Sequence, residues 1–514
     1  MAGHPNIEGS LSVGDAASLT LEGAINNTGA ISLAGGTIPG GNAQTRLIIG
    51  PSGATLGGGG SVLLNNTTLD VVFGSSFAVS LTNVDNTISG AGQLGGGRLG
   101  LFNEAAGVID ADTSTPLVLD TGPAEVDNAG LIEATGAGGL ILRNTGVLGG
   151  GVIAAGNGSR VELQGAFLTG GTLKSTGTGI FRTYRGANYL DGLDVTLDNE
   201  ATLIVADNTS LTLQGTLINT GKVELSSLRA GATVSIDANN ASLSGGGRFI
   251  LDNSALNRIV GASPAAILTN VDDNIGGAGQ LGAGSLTLVN EAAGVIVGSR
   301  TTALVIDTGA NTIVNAGVIL ARGSGGVTIA SVVVNGGILE ADGGVLTVNG
   351  AVSGSGDGQI YAGTLDFNAS FSQNVAFQKI TGVLELAQSQ SYAGTVSGFS
   401  KTGGTSFDLR DIGFVSSTEA TFSGTAGGGV LTVSDGTHTA HIALRGDYTA
   451  SSFTASSDGH GGTIVVDPAA GATHRFVAAA AGLGAQAGGG LASPAHEAWR
   501  ARPVMLGRPA VKIA

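Results

Sequence analysis

The chain has 514 residues, of which 42% are hydrophobic and 12% are charged, and its formal net charge is −16. This apolar content excludes a chain kept disordered by charge, and an acidic surface repels phosphate backbones, which argues against nucleic acid as a partner. The 91 glycines follow no three-residue period, which excludes collagen, and the lack of cysteine is typical of exported bacterial proteins.

The start of the chain, MAGHPNIEGSLSVGDAASL, has neither a basic nor an apolar stretch, so we expect no secretory signal there. The sequence contains no run of 18 apolar residues, so it predicts no membrane-spanning helix. The C-terminal end is not preceded by the long series of alternating strands that a translocator barrel needs. The sequence therefore does not identify an export route.

Asparagine–glycine turns recur along the first 350 residues, often 16 to 25 residues apart, as in NTGAISL at Asn27 and NTGKVEL at Asn219. Between them lie short segments of period two, such as SLTLQG, with Leu211 and Leu213 on one side of the strand. Several short strands per 20 residues, with no helical stretch, predict a β-solenoid in which each coil packs on its neighbours.

One long block occurs twice. LTNVDNTISGAGQLG from Leu81 returns 187 residues later as LTNVDDNIGGAGQLG from Leu268, and about 36 of 62 aligned positions are identical. We place the copies at residues 60–142 and 247–329, and we expect equivalent residues to occupy equivalent turn corners and core stacks. The expected corners are Asn83, Asn103 and Asn128 with Asn270, Asn290 and Asn315; the expected core includes Val118, Ile132 and Leu142 with Val305, Ile319 and Ile329.

The composition changes after residue 350, because nine of the 15 phenylalanines lie beyond it. We interpret residues 1–350 as the solenoid, 351–467 as a β-rich cap that covers its last strand edge, and 468–514 as a flexible, basic Ala/Gly-rich tail. The tail carries five basic side chains against one acidic one, which leaves the body at −20. Uncovered solenoid ends would permit self-association.

The asparagine- and glycine-punctuated coils, the block LTNVDNTISGAGQLG with NEAAGVI, and the ending VLTVSDGTHTAHIAL with FTASSDGHGGTIVVDP resemble a family of large proteobacterial surface proteins. These are the autotransporter-passenger-like and filamentous-haemagglutinin-like adhesins, and the resemblance covers roughly residues 10–467. It implies an all-β, right-handed parallel β-helix at the cell surface or outside the cell. The implied function is a non-catalytic scaffold that binds a surface glycan or protein.

The alternative is a carbohydrate-active β-helix enzyme, a polysaccharide lyase or hydrolase, which needs paired carboxylates or a carboxylate with a basic partner. The richest polar cluster, FRTYRGANYLDGLDVTLD, lies outside the duplicated block, and we expect it to form an exposed loop that contacts a partner. Its candidate residues are Arg182, Tyr184, Arg185, Tyr189, Asp191 and Asp194.

Other motifs favour turns over ligand sites. GAGQLG at Gly90 matches the dinucleotide fingerprint, but a strand follows it instead of the required helix, so we expect glycine turns with positive φ and no cofactor. No tandem calcium nonapeptide occurs, and SDGHGG and VSDGTH read as Asp-Gly turns. His438 and His441 point to opposite faces of a strand, so we expect no shared metal there.

Overall fold

A computed structural model describes residues 5–36 and 43–469. Nearly all regular structure in this part is β, with 51 strands and one short 3₁₀ turn, and the strands form a β-solenoid of about 18 turns. The predicted fold class is confirmed. The tail prediction falls on residues 468–514, which lie almost wholly outside the described residues.

The strands follow one another closely along the chain. The first twenty are β1 Asn6–Ile7, β2 Ser10–Val13, β3 Ser18–Asn27, β4 Ala30–Leu33, β5 Thr45–Gly57, β6 Ser61–Leu64, β7 Asp70–Gly74, β8 Ser80–Asn83, β9 Thr87–Ser89, β10 Gly92–Gly95, β11 Gly100–Asn103, β12 Val108–Ala111, β13 Leu117–Leu119, β14 Glu125–Asn128, β15 Leu131–Ala134, β16 Leu140–Leu148, β17 Val152–Ala155, β18 Arg160–Thr169, β19 Gly171–Ser175 and β20 Ile180–Arg185. The next twenty are β21 Ala187–Glu200, β22 Thr202–Ala206, β23 Thr209–Asn219, β24 Lys222–Ser226, β25 Ala232–Ser244, β26 Arg248–Leu251, β27 Arg258–Gly261, β28 Ile267–Asn270, β29 Asn274–Gly277, β30 Gly279–Gly282, β31 Thr287–Asn290, β32 Val295–Gly298, β33 Leu304–Ile306, β34 Ile313–Asn315, β35 Val318–Ala321, β36 Val327–Ile329, β37 Val333–Asn335, β38 Ile338–Asp342, β39 Val345–Val348 and β40 Val352–Ser353. The last are β41 Asp357–Tyr361, β42 Thr364–Phe367, β43 Asn374–Phe377, β44 Gly382–Leu386, the 3₁₀ turn Ser389–Ser391, β45 Thr395–Ser397, β46 Thr405–Leu409, β47 Ala420–Thr425, β48 Gly428–Ser434, β49 Thr439–Arg445, β50 Thr454–Ser457 and β51 Thr463–Val466.

Each coil has three sides, which we call faces A, B and C. In the first duplicated block β7 lies on face A, β8 on face B and β9 on face C, and β10 returns to face A, where it pairs in parallel with β7. Longer strands turn a corner without a break: β16 and β18 run from face A to face B, and β21, β23 and β25 run from face B to face C. Every coil therefore hydrogen-bonds to the coil on either side.

The core is a set of inward columns, because alternate side chains of each strand point into the narrow coil. Leu94, Leu119 and Leu142 stack in register on successive coils, and all are fully buried. Ile132, Ile319 and Ile329 are also buried as expected, together with Leu142. The assignment of Val118 and Val305 to the core is wrong: both are half-buried on the outer side, because their neighbours at 117, 119, 304 and 306 face inward.

Buried asparagines form a ladder at the corner between faces B and C. Asn83 Nδ2 donates to Asn103 Oδ1 at 2.9 Å, and Asn103 Nδ2 donates to Asn128 Oδ1 at 2.9 Å. Asn27 enters the same ladder by donating to Asn86 Oδ1 at 2.8 Å. The amides of Asn83 and Asn103 thus satisfy a buried neighbour one coil on, and the amide of Asn27 satisfies one two coils on.

A second ladder continues the pattern in the later coils. Asn270 donates to Asn290 at 2.8 Å, Asn290 to Asn315 at 2.8 Å and Asn315 to Asn335 at 2.7 Å. The predicted equivalence of the corner asparagines in the two copies is confirmed. The prediction that these asparagines adopt an αL backbone is wrong. Among the described residues, the asparagines with positive φ are 144, 208 and 240, so the ladder residues are held by the hydrogen bonds of their side-chain amides.

The second copy is turned relative to the first. Eight successive parallel pairings lead from β9 on face C through β12, β15, β17, β19, β21, β23 and β25 to β28. By sequence, however, β28 is the counterpart of β8, which lies on face B. The copies are therefore separated by eight and one-third turns, and the second ladder occupies the corner between faces C and A.

Parallel stacking passes residue 350 without a break and continues to β46. Beyond Leu409, β49 pairs in parallel with β45 on face A, and antiparallel pairing begins in two places: β51 pairs with β46 on face B, and β48 and β47 follow β49. Two antiparallel extensions thus close this end of the solenoid. The first part of the predicted cap, from residue 351 to Leu409, thus continues the parallel coils, and we call residues 410–467 the C-terminal cap.

Aromatic rings fill the space between these two extensions. Phe399 stacks on Phe407 with ring centroids 4.4 Å apart, and Phe453 lies 6.1 Å from both Phe399 and Phe422. Phe367, Phe371 and Phe377 lie in the last parallel coils, so the enrichment in phenylalanine begins before the antiparallel strands.

Candidate interaction surface

The six candidate residues lie on two strands, β20 and β21, so the expected loop is wrong for most of them. Phe181 and Thr183 fill the inward positions of β20, which turns Arg182 and Tyr184 outward. Alternation breaks at Arg185, which is exposed where the register shifts opposite Gln164, so these polar residues lie outside on a strand with a local irregularity.

A small excursion occurs further along β21. Gly192 pairs with Gly215 and Leu197 with Leu217, so residues 193–196 bulge out opposite a single residue of β23. Of the six candidates only Asp194 lies in this bulge. Val195 covers Gly170, where an added Cβ would lie 2.9 Å from Val195 Cγ1. The bulge is therefore packed against the neighbouring coil.

The charged candidates are free to meet a partner. Within the described residues, no ion pair engages Arg182, Arg185, Asp191 or Asp194. The guanidinium carbon of Arg185 lies 5.8 Å from the ring centroid of Tyr184, and Asp191 accepts a hydrogen bond from the Leu193 amide at 3.0 Å.

Tyr189 belongs to a larger aromatic strip on face B that sequence reasoning missed. Its ring lies 4.9 Å from that of Phe167 on the previous coil. Phe102 is 43% exposed and Phe77 is 64% exposed, and both line a cleft of about 410 Å³ near Glu125. The register leads from Phe102 to Thr169 three coils on, so Phe167 lies three coils away and two residues along the strand, about 16 Å from Phe102. We call Phe77, Phe102, Phe167 and Tyr189 the aromatic strip.

The strip could have been found from strand phase. In GLFN the inward positions belong to Leu101 and Asn103, so Phe102 must point out. Before residue 350 only Phe181 and Phe249, among eight Phe and Tyr side chains, are fully buried. A core too narrow for rings accounts for their rarity inside, and it makes the outward ones informative.

Face B also carries a row of carboxylates near the cap. Asp366, Glu385 and Asp408 lie in register on β42, β44 and β46, and burial raises the pKa of all three. Arg410 hydrogen-bonds to Asp366, and its Nε lies 2.8 Å from Glu385 Oε1. Asp408 Oδ1 is buried with no hydrogen-bond partner in the described structure.

The GAGQLG glycines are tight turns, as predicted. Gly90 and Gly277 have φ of 118° and 128°, and an added Cβ would lie 1.8 Å from the carbonyl oxygens of Leu64 and Leu251. The backbone of the preceding coil thus leaves no room for a side chain at these two positions, which accounts for the glycines.

The histidines of the cap lie on its surface. His438 Nδ1 pairs with Asp435 at 3.0 Å, and His441 faces Thr432 at 3.2 Å. Across residues 5–36 and 43–469, no three His, Asp or Glu side chains are grouped to hold a metal ion.

A cleft of about 430 Å³ opens in the cap between β47 and the segment 448–453. Its floor consists of Phe422, Tyr448 and Phe453, whose ring centroids are 5.8 to 6.1 Å apart. Threonine and serine hydroxyls form its rim, and no charged side chain lines it.

No family model matches the chain, and no curated protein or solved structure is significantly similar to it. In the described part of the chain, no helix is long and apolar enough to cross a membrane. The fold is that of a β-solenoid repeat protein, and fold alone does not assign an activity.

Proposed function

We propose that this chain is a non-catalytic, adhesin-like scaffold at the cell surface or outside the cell, and that it presents face B of a rigid rod to a glycan or protein. The carrying observation is the aromatic strip. Large exposed apolar side chains such as Phe77 and Phe102 mark contact sites, and face B also carries the free carboxylate of Asp191.

The solenoid suits such a role through its geometry. About 18 turns at the usual spacing of about 4.8 Å give a rod about 85 Å long, so loops and faces are held far from any attachment point. The two copies share inward residues such as Ile109 and Ile296, while Phe102 is replaced by valine at 289. A constant interior with a changing exterior is what a presenting scaffold needs.

Adhesion of coated beads tests this proposal. Beads carrying the chain should adhere to mucin-coated or fibronectin-coated glass more than albumin-coated beads do, and a Phe102→Ser, Phe167→Ser variant should lose at least three-quarters of that adhesion. The control is Val314→Ser with Val334→Ser, two exposed residues on face C. Equal loss in both variants, or no adhesion by the native chain, would contradict a role for face B.

The proposal includes a location at the cell surface and a relationship to the autotransporter-passenger-like or filamentous-haemagglutinin-like proteins. The coil architecture and the acidic, cysteine-free body support both. Antibody detection in fractions of the native host tests the location. Signal on intact cells or in the medium is expected; confinement to the cytoplasm would contradict it.

The carboxylate row favours one alternative, a glycan-cleaving enzyme. Neighbouring strands place in-register carboxylates about 5 Å apart, the separation of a retaining glycosidase pair, and a raised pKa suits a general acid. Arg410 occupies two of the three carboxylates, which leaves Asp408 as the available acid. Release of reducing or unsaturated ends from polygalacturonate, abolished by Asp408→Asn, would establish this alternative over the scaffold.

A further inference from the structure

We propose that the cap cleft is a binding site for a neutral sugar. The site is separate from the aromatic strip and does not depend on the proposed role of face B. Its volume of about 430 Å³ lies within the range of small-molecule sites, and its lining combines three aromatic rings with hydroxyl groups.

The aromatic floor is held rigid by the cap core. Tyr448 and Phe453 are 3% and 8% exposed, and Tyr448 Oη donates to the Phe399 carbonyl at 2.9 Å. The tyrosine hydroxyl is therefore committed to the protein. The floor therefore offers a ligand the surface of aromatic rings, against which the C–H face of a pyranose can pack.

The rim offers hydrogen-bond acceptors. Thr449 Oγ1 donates to Asp447 at 2.6 Å, and Ser451 Oγ donates to the buried Asp467 at 2.5 Å. Since Thr449 and Ser451 donate their hydroxyl protons to carboxylates, their oxygens can act only as acceptors toward a ligand in the cleft. A ligand must then supply donors, as sugar hydroxyls do.

Charge decides between the remaining classes. Among the described residues, no Asp, Glu, Lys, Arg or His side chain lines the cleft, so an anionic ligand would find no cation in this lining and would face acceptor oxygens. A cationic ligand would likewise find no carboxylate among the described lining residues. A neutral, hydroxyl-bearing ring fits both restrictions.

Saturation-transfer NMR on the full chain tests the site. The probes are cellotetraose, maltotetraose and chitotetraose, with tetragalacturonate and choline as charged comparisons. At least one neutral probe should show transfer to its ring protons. Ser452→Arg, at an exposed rim position, should weaken that binding at least tenfold, whereas Ser456→Arg, exposed on β50 outside the cleft, should leave it unchanged.

Hydrogen exchange on the native chain gives a second readout that needs no variant. A saturating neutral probe should slow exchange in segments 418–424 and 448–453 and leave face B unchanged. The proposal is overturned if none of the three neutral probes binds, if Ser452→Arg binds as the native chain does, or if only choline, tetragalacturonate or a peptide strand added along β47 protects these segments.

Discussion

Asn86 and Asp273 occupy the same position in the two copies of the duplicated block, and each accepts a hydrogen bond from a ladder asparagine. Asn27 donates to Asn86 at 2.8 Å, and Asn219 donates to Asp273 at 2.7 Å. Both positions are fully buried, but only Asp273 is ionisable. Burial raises the pKa of Asp273 to about 6.

Asp273→Asn should stabilise the protein at pH 7. A carboxyl whose pKa rises from 3.8 to about 6 on folding costs about 3 kcal/mol in its ionised form. An asparagine at 273 can donate to Asp272 as Asn86 donates to Asp85 at 3.2 Å, but its amide nitrogen cannot accept, so it loses one of the bonds that Asp273 accepts from Asn219 and from the Gly247 amide at 3.0 Å. Urea titration should show a gain of about 3 kcal/mol at most, and Asn86→Asp should show a comparable loss.

The same substitution should change the pH dependence of stability. Between pH 4 and 6 the folded chain keeps the Asp273 proton while the unfolded chain loses it, so this contribution to stability falls as pH rises through that window. The difference between Asp273→Asn and the native chain should be small below pH 4 and complete above pH 7. A difference independent of pH would show that the charge is not the cause.

Asn290→Ala should break the second ladder locally. Asn290 Nδ2 donates to Asn315 at 2.8 Å and to the Gly294 carbonyl at 3.1 Å, and its oxygen accepts from Asn270. Loss of these partners should cost about 2 to 3 kcal/mol. Thermal unfolding and hydrogen exchange should show faster exchange in the adjoining coils, whereas Asn239→Ala, which removes an exposed hydrogen bond, should change neither.

Leu119→Ala and Val118→Ala should differ sharply although the residues are adjacent. Leu119 stacks between Leu94 and Leu142 with no exposed surface, so truncation should cost about 2 to 5 kcal/mol. Val118 lies on the outer side, and its truncation should cost less than about 1 kcal/mol. Equal losses of unfolding free energy would contradict the assigned strand phase.

Removing the cap should cause aggregation. A chain ending at Arg410 leaves β45 and β46 without their partners β49 and β51 and uncovers the aromatic rings, and a chain ending at Gly350 likewise exposes a strand edge. Both should form large species in light scattering. A chain lacking only residues 470–514 should stay monodisperse; if the Arg410 chain does too, the capping role is wrong.

Sequence reasoning reached the solenoid, the duplication and the corner asparagines because turn residues and period-two strands are local signals. Sequence reasoning wrongly assigned Val118 to the core, because in the strand Leu117–Leu119 either choice of inward-facing positions would bury an apolar residue. It expected a loop at Arg182, although the polar residues there occupy outward positions of a regular strand. The aromatic strip and the cap cleft join residues from several coils, and their proximity depends on how many residues each turn contains.

The offset of one-third of a turn between the copies has a consequence for how such a chain grows by recombination. A copied segment need not span a whole number of turns, because each side of the coil offers the next strand an equivalent hydrogen-bonding edge. A residue copied in this way lies on a different face of the solenoid from its parent. Gene duplication in this architecture therefore creates a differently oriented surface on which new contacts evolve independently of the parent.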